Sequence, residues 1–490
     1  MLIGLDVGTT ACKALLFEID GRVVAASTVP YGLITPQHGW VEQDSETLWL
    51  TVVNSLRKLA AHIPPGRQIL AVAQSSQGGT TIPVDSAGIP TYNAISWMDT
   101  RAQAEYEEVR DGVGAEAIQR KTGWPLMAGL PLQHLRWLHR HRDDVFSRTY
   151  RVMFVNDFIG WRLTGERCMN PSDASITQLF DIETGDWDDE LLALAGVRRE
   201  QLSPLRESGA DVGRLMVDAA QRCGLPAGLP FINGAHDQYC AALGLGVVEP
   251  GEMLLSCGTA WVLLAVPPSL TVGRASGMAL SRHAVPGRWG AIRSLGAVGT
   301  SLEWLASQVW ARPDAPEPRT TLYAAINEAA ARSEPGGRGL LFFPPAAGHA
   351  GSFGMARGGF VGLNLAHTRD DMSRAVMEGV ACELRWAVDE LRATGMTVDR
   401  LKMVGGAARS PLWPQIVADV TGAPVVVTGI TEAAAWGAAV LAGIGAGVFA
   451  DAESAARAPA RSLTSYEPGN RAACDELYER YRKTWTAVAS

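Results

Sequence analysis

The chain opens on strand-like apolar runs separated by turn residues. "LIGLDVGTT" is an apolar run ending in Asp6 and Gly8, "CKALLFEID" is a second, Asp20-Gly21 marks a tight turn, and "RVVAASTVP" is a third. The spacing becomes helical from Glu46 to His62, and "ILAVAQSS" then reads as a buried strand. The opening pattern returns about half a chain later. "GEMLLSCGTAWVLLAV", residues 251–266, is again an apolar strand, a Gly-Thr turn and a second apolar strand. Two such hairpins predict duplicated α/β domains facing each other, with the boundary near Gly244 to Gly251. The expected division is 1–245 and 246–490. Further on, "RLKMVGGAARSPLWPQIVADVTGAPVVV" predicts a strand, a Gly-Gly turn, a helix through Val420 and a short strand. Thr431-Glu432 follows as the start signal of an alanine-rich helix. The proline-rich "WARPDAPEPR" reads as a surface loop of the second half.

Length and composition narrow this picture. At 490 residues the chain is too long for one ordinary domain. A hydrophobic fraction of 47% is that of a globular protein. The net charge of −8 repels polyanions, which excludes nucleic acid as the main partner. The cysteines show no CxxC pair and no zinc spacing, the usage of reduced thiols in a cytoplasmic protein. "MLIGLDVG" carries no basic region or cleavage site, so no export signal is expected. One stretch tests the soluble reading: residues 433–450 pass eighteen positions without a charge. Alanine and glycine dominate it, so it is read as a buried helix ending near Ile444, not as a membrane span.

The Gly-Thr turns are the first candidate chemistry. A glycine there lets backbone N–H groups approach a ligand and threonine hydroxyls add donors, a concavity suited to phosphate. Asp6, at the end of a buried strand, either caps the turn or holds magnesium through water beside phosphate. "VGGAARS", residues 404–410, also aims N–H groups at an anion, but it lacks the third glycine of the dinucleotide fingerprint and the lysine of a P-loop. "HLRWLHRHR" is read as the basic face of an amphipathic helix rather than a metal site, and Trp386 and Trp413 as core. In "FINGAHDQYCAALGLG" a buried strand hands over to a helix at His236-Asp237-Gln238. Capping the helix and facing a site are both open readings of Asp237.

Taken together, ordered segments over almost the whole length resemble the FGGY carbohydrate kinases of the actin-like ATPase superfamily, most nearly the xylulokinases. They are "IGLDVGTTACKALLF", "GWVEQDSETLW", "NAISWMDTRA", "DASITQLFDIETGDWDDELL", "GAHDQYCAALGLGVVEPGEMLLSCGTAW", "VGTSLEWL", "GGAARSPLWPQIVADVTGAPV" and "TEAAAWGAA". The resemblance implies an α/β fold of two ribonuclease-H-like domains with an active-site cleft between them, sugar on the first and ATP on the second. It implies Asp237 as general base, with Gln77, Gly78, Gly79, Trp97, Asp237 and Gln238 on the sugar. Gly8, Thr9, Thr10 and Lys13 resemble one phosphate loop, Gly258 and Thr259 the other. Gly299, Gly406 and Ser410 match nucleotide-contacting positions, and Asp6 lies near Mg²⁺. Relatives are often dimers or tetramers, so a homodimer enters as an expectation of the resemblance.

The departures bear on the acceptor. Glycerol kinases carry an Arg-Glu pair, and xylulokinases a Met-His pair, where this chain has Gly78-Gly79. "GWPLMAGLPLQHLRW" lacks the tyrosine of glycerol kinases, and "PPAAGHAGSFGMARGGFVGL" replaces the Gly-Glu-Arg-x-Pro pattern of xylulokinases. Glycerol is thereby disfavoured. The leading expectation is ATP-dependent phosphorylation of a terminal hydroxyl on a small sugar or polyol, with a pentulose such as xylulose first. The alternatives are another ketose, a tetritol, a sugar-like signal molecule, a non-catalytic regulator of the same fold, or a sugar-independent ATPase.

Overall fold

The computed structural model describes residues 1–311, 317–345, 358–457 and 463–489. The chain forms two compact units. The first comprises Met1–Val248, Ser269–Ala291 and Glu432–Ala460, and the second comprises Glu249–Pro268, Ile292–Thr431 and Arg461–Ser490.

The opening runs form β1 (Leu2–Val7), β2 (Ala11–Phe17) and β3 (Val23–Pro30). β4 (Ala71–Ser76), β5 (Asp211–Arg214) and β6 (Pro230–His236) complete a six-stranded sheet in the order β5-β6-β4-β1-β2-β3. β1, β4 and β6 run parallel, and the edges are antiparallel. Helix α1 (Ser45–Ala60) covers one face with Leu48, Val52, Leu56 and Leu59, all buried at the 3.6-residue spacing the sequence shows. Asp44 starts it by accepting the Thr47 N–H at 2.6 Å.

In the second unit, β7 (Gly251–Cys257) pairs antiparallel with β8 (Trp261–Ala265) and parallel with β9 (Val398–Gly405). β10 (Val425–Thr428) joins β9 in parallel and β11 (Leu463–Tyr466) closes that edge antiparallel. The succession β8-β7-β9-β10 therefore repeats β2-β1-β4-β6 of the first unit. The duplication read from the two Gly-Thr hairpins is present in the strand order.

The alanine-rich helix α2 (Ala433–Gly445) is buried in the first unit, and no helix among the described residues is long and apolar enough to cross a membrane. Its composition follows from backbone-to-backbone packing. A Cβ on Gly4 of β1 would overlap the Ala435 carbonyl, and one on Gly437 would overlap the Cys240 carbonyl. At residues 4 and 437 only glycine permits that approach.

The expected surface loop in Trp310–Arg319 includes 312–316, which lie outside the described residues, as do 346–357 of the "PPAAGHAGSFGMARGGFVGL" segment. The segment around "HLRWLHRHR" is a helix, Pro131–His141, but one residue departs from the basic-face reading. His134 is fully buried beneath Thr81, with Oγ1 and Nδ1 3.0 Å apart, and burial holds its pKa down at about 3. Period 3.6 turns His134 inward with Leu135 and Leu138 while His139 and His141 stay outside. Trp413 is core, packed on Trp261 with ring centroids 5.1 Å apart, whereas Trp386 is half-buried under Arg482.

Candidate active site

Parallel pairing decides which residues meet. Asp6 lies opposite Ser75, and Ser76 opposite His236, so β1, β4 and β6 deliver their carboxyl ends to one edge. The residues leaving that edge are Gly8, Gln77-Gly78 and Asp237. Open α/β sheets bind ligands there because the loops diverge and leave a crevice.

Asp237 is the first residue of helix Asp237–Gly244, but it is not the cap. His236 caps the helix, its Nδ1 accepting the Gln238 N–H at 3.4 Å. The Asp237 carboxylate is half-buried, with Oδ1 3.4 Å from the same Nδ1. Burial and then the charge of Asp237 push Asp6 up to about 6, against the Ser75 hydroxyl, which donates to its Oδ1 at 3.1 Å. Asp173 is buried behind them and its pKa is pushed well above the usual range, by burial first and by Asp237 among the lesser causes. Asn170 Nδ2 and the Ser76 hydroxyl donate to its Oδ2 at 2.7 and 3.4 Å. The Ser172 hydroxyl donates to Asn170 Oδ1 at 2.6 Å and accepts the His236 N–H at 2.9 Å. This scaffold holds the strand-to-helix turn that presents Asp237.

The first hairpin turn leaves free space at Gly8. Gly8 N–H donates to the Ala11 carbonyl at 3.0 Å, and Tyr31 donates its hydroxyl to the Gly8 carbonyl. A Cβ on Gly8 would meet only Ala11 O, at 3.5 Å, so neither packing nor a positive φ requires glycine. Thr10 is exposed and Lys13 is half-buried, with Nζ 2.7 Å from Glu432 Oε2. Glu432 begins helix α2 without capping it, because its carboxylate is engaged by Lys13.

The residues expected on the sugar also come together. Gln77 Nε2 donates to Gln43 Oε1 at 3.0 Å, and Gln43 Nε2 donates to the Thr9 carbonyl at 2.7 Å. Trp97 Nε1 donates to Thr9 Oγ1 at 3.2 Å. The amide oxygens of Gln77 and Gln238 are buried without hydrogen-bond partners among the described residues, so each can still accept a donor. A Cβ on Gly78 would lie 2.8 Å from Ile176 Cγ2 and 2.9 Å from His236 Nε2. Gly79, at φ +74°, has Leu130 and Trp97 at 3.2 Å from the corresponding position. The two glycines are thus packed by other side chains.

In the second unit the hairpin turn repeats this pattern. Gly258 N–H donates to Ala260 O at 3.2 Å, and a Cβ on Gly258 would meet only that oxygen, at 3.6 Å. Gly299 N–H donates to the Thr259 carbonyl at 3.1 Å, and a Cβ there would lie 2.9 Å from that oxygen. Gly299 is required by this close approach. Gly406 N–H donates to Cys257 O at 2.9 Å, bringing the Gly-Gly turn onto the same strand end. The Ser410 hydroxyl donates to Asn327 Oδ1 and accepts the Trp413 N–H at 2.9 Å, so its side chain already has local partners.

Among the described residues no three His, Cys, Asp or Glu side chains form a metal cage. Magnesium bound with phosphates keeps its waters and uses only one or two carboxylates. Asp6 is a candidate for that role: burial first and the charge of Asp237 second disfavour its ionised form, and a cation would relieve both.

The chain belongs to the FGGY family of carbohydrate kinases: the family's N-terminal domain matches residues 1–244 and its C-terminal domain residues 253–446. It is 29% identical to a xylulose kinase of Staphylococcus xylosus over 91% of this chain and 90% of that protein. An autoinducer-2 kinase of Salmonella choleraesuis is also 29% identical, over 99% of this chain and 93% of its own. The crystal structure of xylulose kinase from Rhodospirillum rubrum superposes with a TM-score of 0.90 at 29% identity, covering 99% of this chain and 98% of that one. The mixed α/β fold in two domains, the phosphotransferase class and the use of ATP and a sugar follow from this membership.

Several supporting residues escaped the sequence reading. Asp173 lies in the quoted "DASITQLFD" run without a role there, and Glu432 in "TEAAAWGAA" reads only as a helix start, until folding sets them beside Asp237 and Lys13 respectively. A carboxylate flanked by small or apolar residues was the available signal. Gln43 and Ser75 offered none.

Proposed function

We propose that this kinase transfers the γ-phosphate of ATP to a terminal hydroxyl of a small ketose, with a pentulose such as xylulose as the leading acceptor. The observation that carries the reading is Asp237: it starts a helix it does not cap, its carboxylate half-buried at the carboxyl edge of three parallel strands. Two buried amide oxygens, of Gln77 and Gln238, need hydroxyl donors there. A carboxylate is a far weaker base than an alkoxide, too weak to strip an alcohol before attack. In a loose phosphoryl-transfer transition state the alcohol loses its proton late, so Asp237 orients the hydroxyl in line and takes the proton as the O–P bond forms. Lys13 and the N–H groups of the Gly8 turn bind phosphate oxygens, and those of the Gly258 turn bind the nucleotide. Asp6 holds Mg²⁺, which when bound supplies charge neutralisation on the phosphates. The family name of the R. rubrum and S. xylosus relatives supports a pentulose, and their autoinducer-2 kinase counterpart keeps a sugar-like signal molecule as the second reading. A non-catalytic role is opposed by the intact Asp237. We place the enzyme in the cytoplasm, where ATP and reduced thiols coexist, and expect a homodimer.

The test is ADP release with Mg-ATP against pentuloses, hexuloses, tetritols, pentitols and glycerol. Stimulation by a pentulose that Asp237→Ala abolishes supports the reading. Selective stimulation by another class replaces the acceptor, and turnover without any acceptor overturns the transfer mechanism.

A further inference from the structure

We propose that His236 reads the acceptor: its imidazole fills the room that glycine leaves at position 78 and offers Nε2–H to a carbonyl or hydroxyl oxygen beside the hydroxyl held by Asp237. The inference rests on the assignment of the acceptor to the Asp237 edge of the first unit. Four observations carry it. The ring edge abuts Gly78 so closely that any Cβ there would lie 2.9 Å from Nε2 and nearer still to Cδ2. Residues 78 and 236 therefore share one volume, and the imidazole occupies it. Second, Nδ1 accepts the Gln238 N–H, so the ring proton of the neutral tautomer sits on Nε2. Burial lowers the pKa of His236, which favours that neutral form. Third, the one hydrogen bond of the ring among the described residues is the one that Nδ1 accepts, leaving Nε2 without a partner there. Fourth, the ring is braced. Its backbone N–H donates to Ser172 Oγ at 2.9 Å, and Tyr239 lies against it at 5.6 Å between centroids, held by its own hydroxyl on the Gly290 carbonyl at 3.1 Å.

The recognition this provides is specific. Gln77 and Gln238 present acceptors, for hydroxyl donors on the substrate. His236 adds a fixed donor, which selects an oxygen at one position of a polyhydroxylated chain. A site built to satisfy such a group discriminates strongly against analogues lacking it, because the buried polar atom is then left unpaired.

Two variants separate reading from space-filling. His236→Phe keeps the volume without the donor, and His236→Gln places an amide N–H near the position of Nε2. Steady-state kinetics are measured with the acceptor that wild-type enzyme uses best, and with two poorer acceptors differing at a single oxygen. We expect His236→Phe to lose at least tenfold in kcat/KM for the best acceptor, chiefly through acceptor KM, with KM for ATP unchanged. The loss should shrink for the acceptor lacking the recognised oxygen, and His236→Gln should restore at least a third of the activity. Equal losses on every acceptor, equal losses in both variants, or no loss in either would overturn the proposal. Should the Phe variant fail to fold, Gly78→Ala displaces the same ring edge and is held to the same outcomes. A mistaken pentulose assignment appears in the wild-type acceptor profile alone, whereas a mistaken role for His236 appears only in the variants.

Discussion

Replacing Asp6 by Asn separates what this carboxylate costs the fold from what it contributes to catalysis. Burial, and the Asp237 charge after it, raise its pKa from 3.8 to about 6. That rise means the ionised form is disfavoured in the native state by about 3 kcal/mol. Between pH 4 and 6 the native state holds more protons than the unfolded chain, so stability falls as pH rises through this window. The penalty is complete above pH 6 and vanishes below the unfolded value. The variant also weakens the Ser75 hydrogen bond, worth about 1 kcal/mol. The expected net gain for Asp6→Asn is therefore about 2 kcal/mol at pH 7.5, and close to zero at pH 4.5, where about 1 kcal/mol of penalty is offset. Urea unfolding in magnesium-free buffer, followed by tryptophan fluorescence at both pH values, measures this. In the same preparation kcat with Mg-ATP should fall at least tenfold, a loss of ~1.4 kcal/mol or more in transition-state stabilisation. A variant no more stable than wild type at pH 7.5, or equally changed at both pH values, would refute the electrostatic argument.

Asp237→Ala should abolish acceptor phosphorylation and leave nucleotide binding intact by calorimetry; more than about a tenth of kcat remaining would contradict the late-proton role. Lys13→Met removes half of a half-exposed pair, so urea stability should change by less than about 1 kcal/mol while kcat/KM for ATP falls at least tenfold. Gly437→Ala forces a methyl onto the Cys240 carbonyl and should cost about 1–3 kcal/mol in urea unfolding, because neither helix backbone can yield cheaply. The Arg101 side chain is fully buried between Glu42 and Asp99 at 2.7 and 2.8 Å, with its guanidinium 3.8 Å over Trp40. Arg101→Met leaves both carboxylates buried and unpaired, and should cost about 3–5 kcal/mol by the same assay.

Much of this was legible from residue order alone. The apolar runs at Leu2–Val7, Ala11–Phe17 and Gly251–Cys257, and the turn glycines beside them, determine the two hairpins, since apolar clustering and turn chemistry are local properties. The uncharged run from Ala433 likewise announces a buried helix. Local order does not reveal partners. Strand register, a long-range property, decided that Ser76 lies beside His236, and hence that glycine at 78 leaves room which an imidazole from residue 236 fills. The same dependence governs Glu432, a helix start signal by sequence and the ion-pair partner of Lys13 in the fold. Sequence determined which elements form and which residues are candidates for chemistry. Tertiary structure decided what each charge faces, because desolvation and Coulomb energy depend on distances through space that no spacing along the chain encodes.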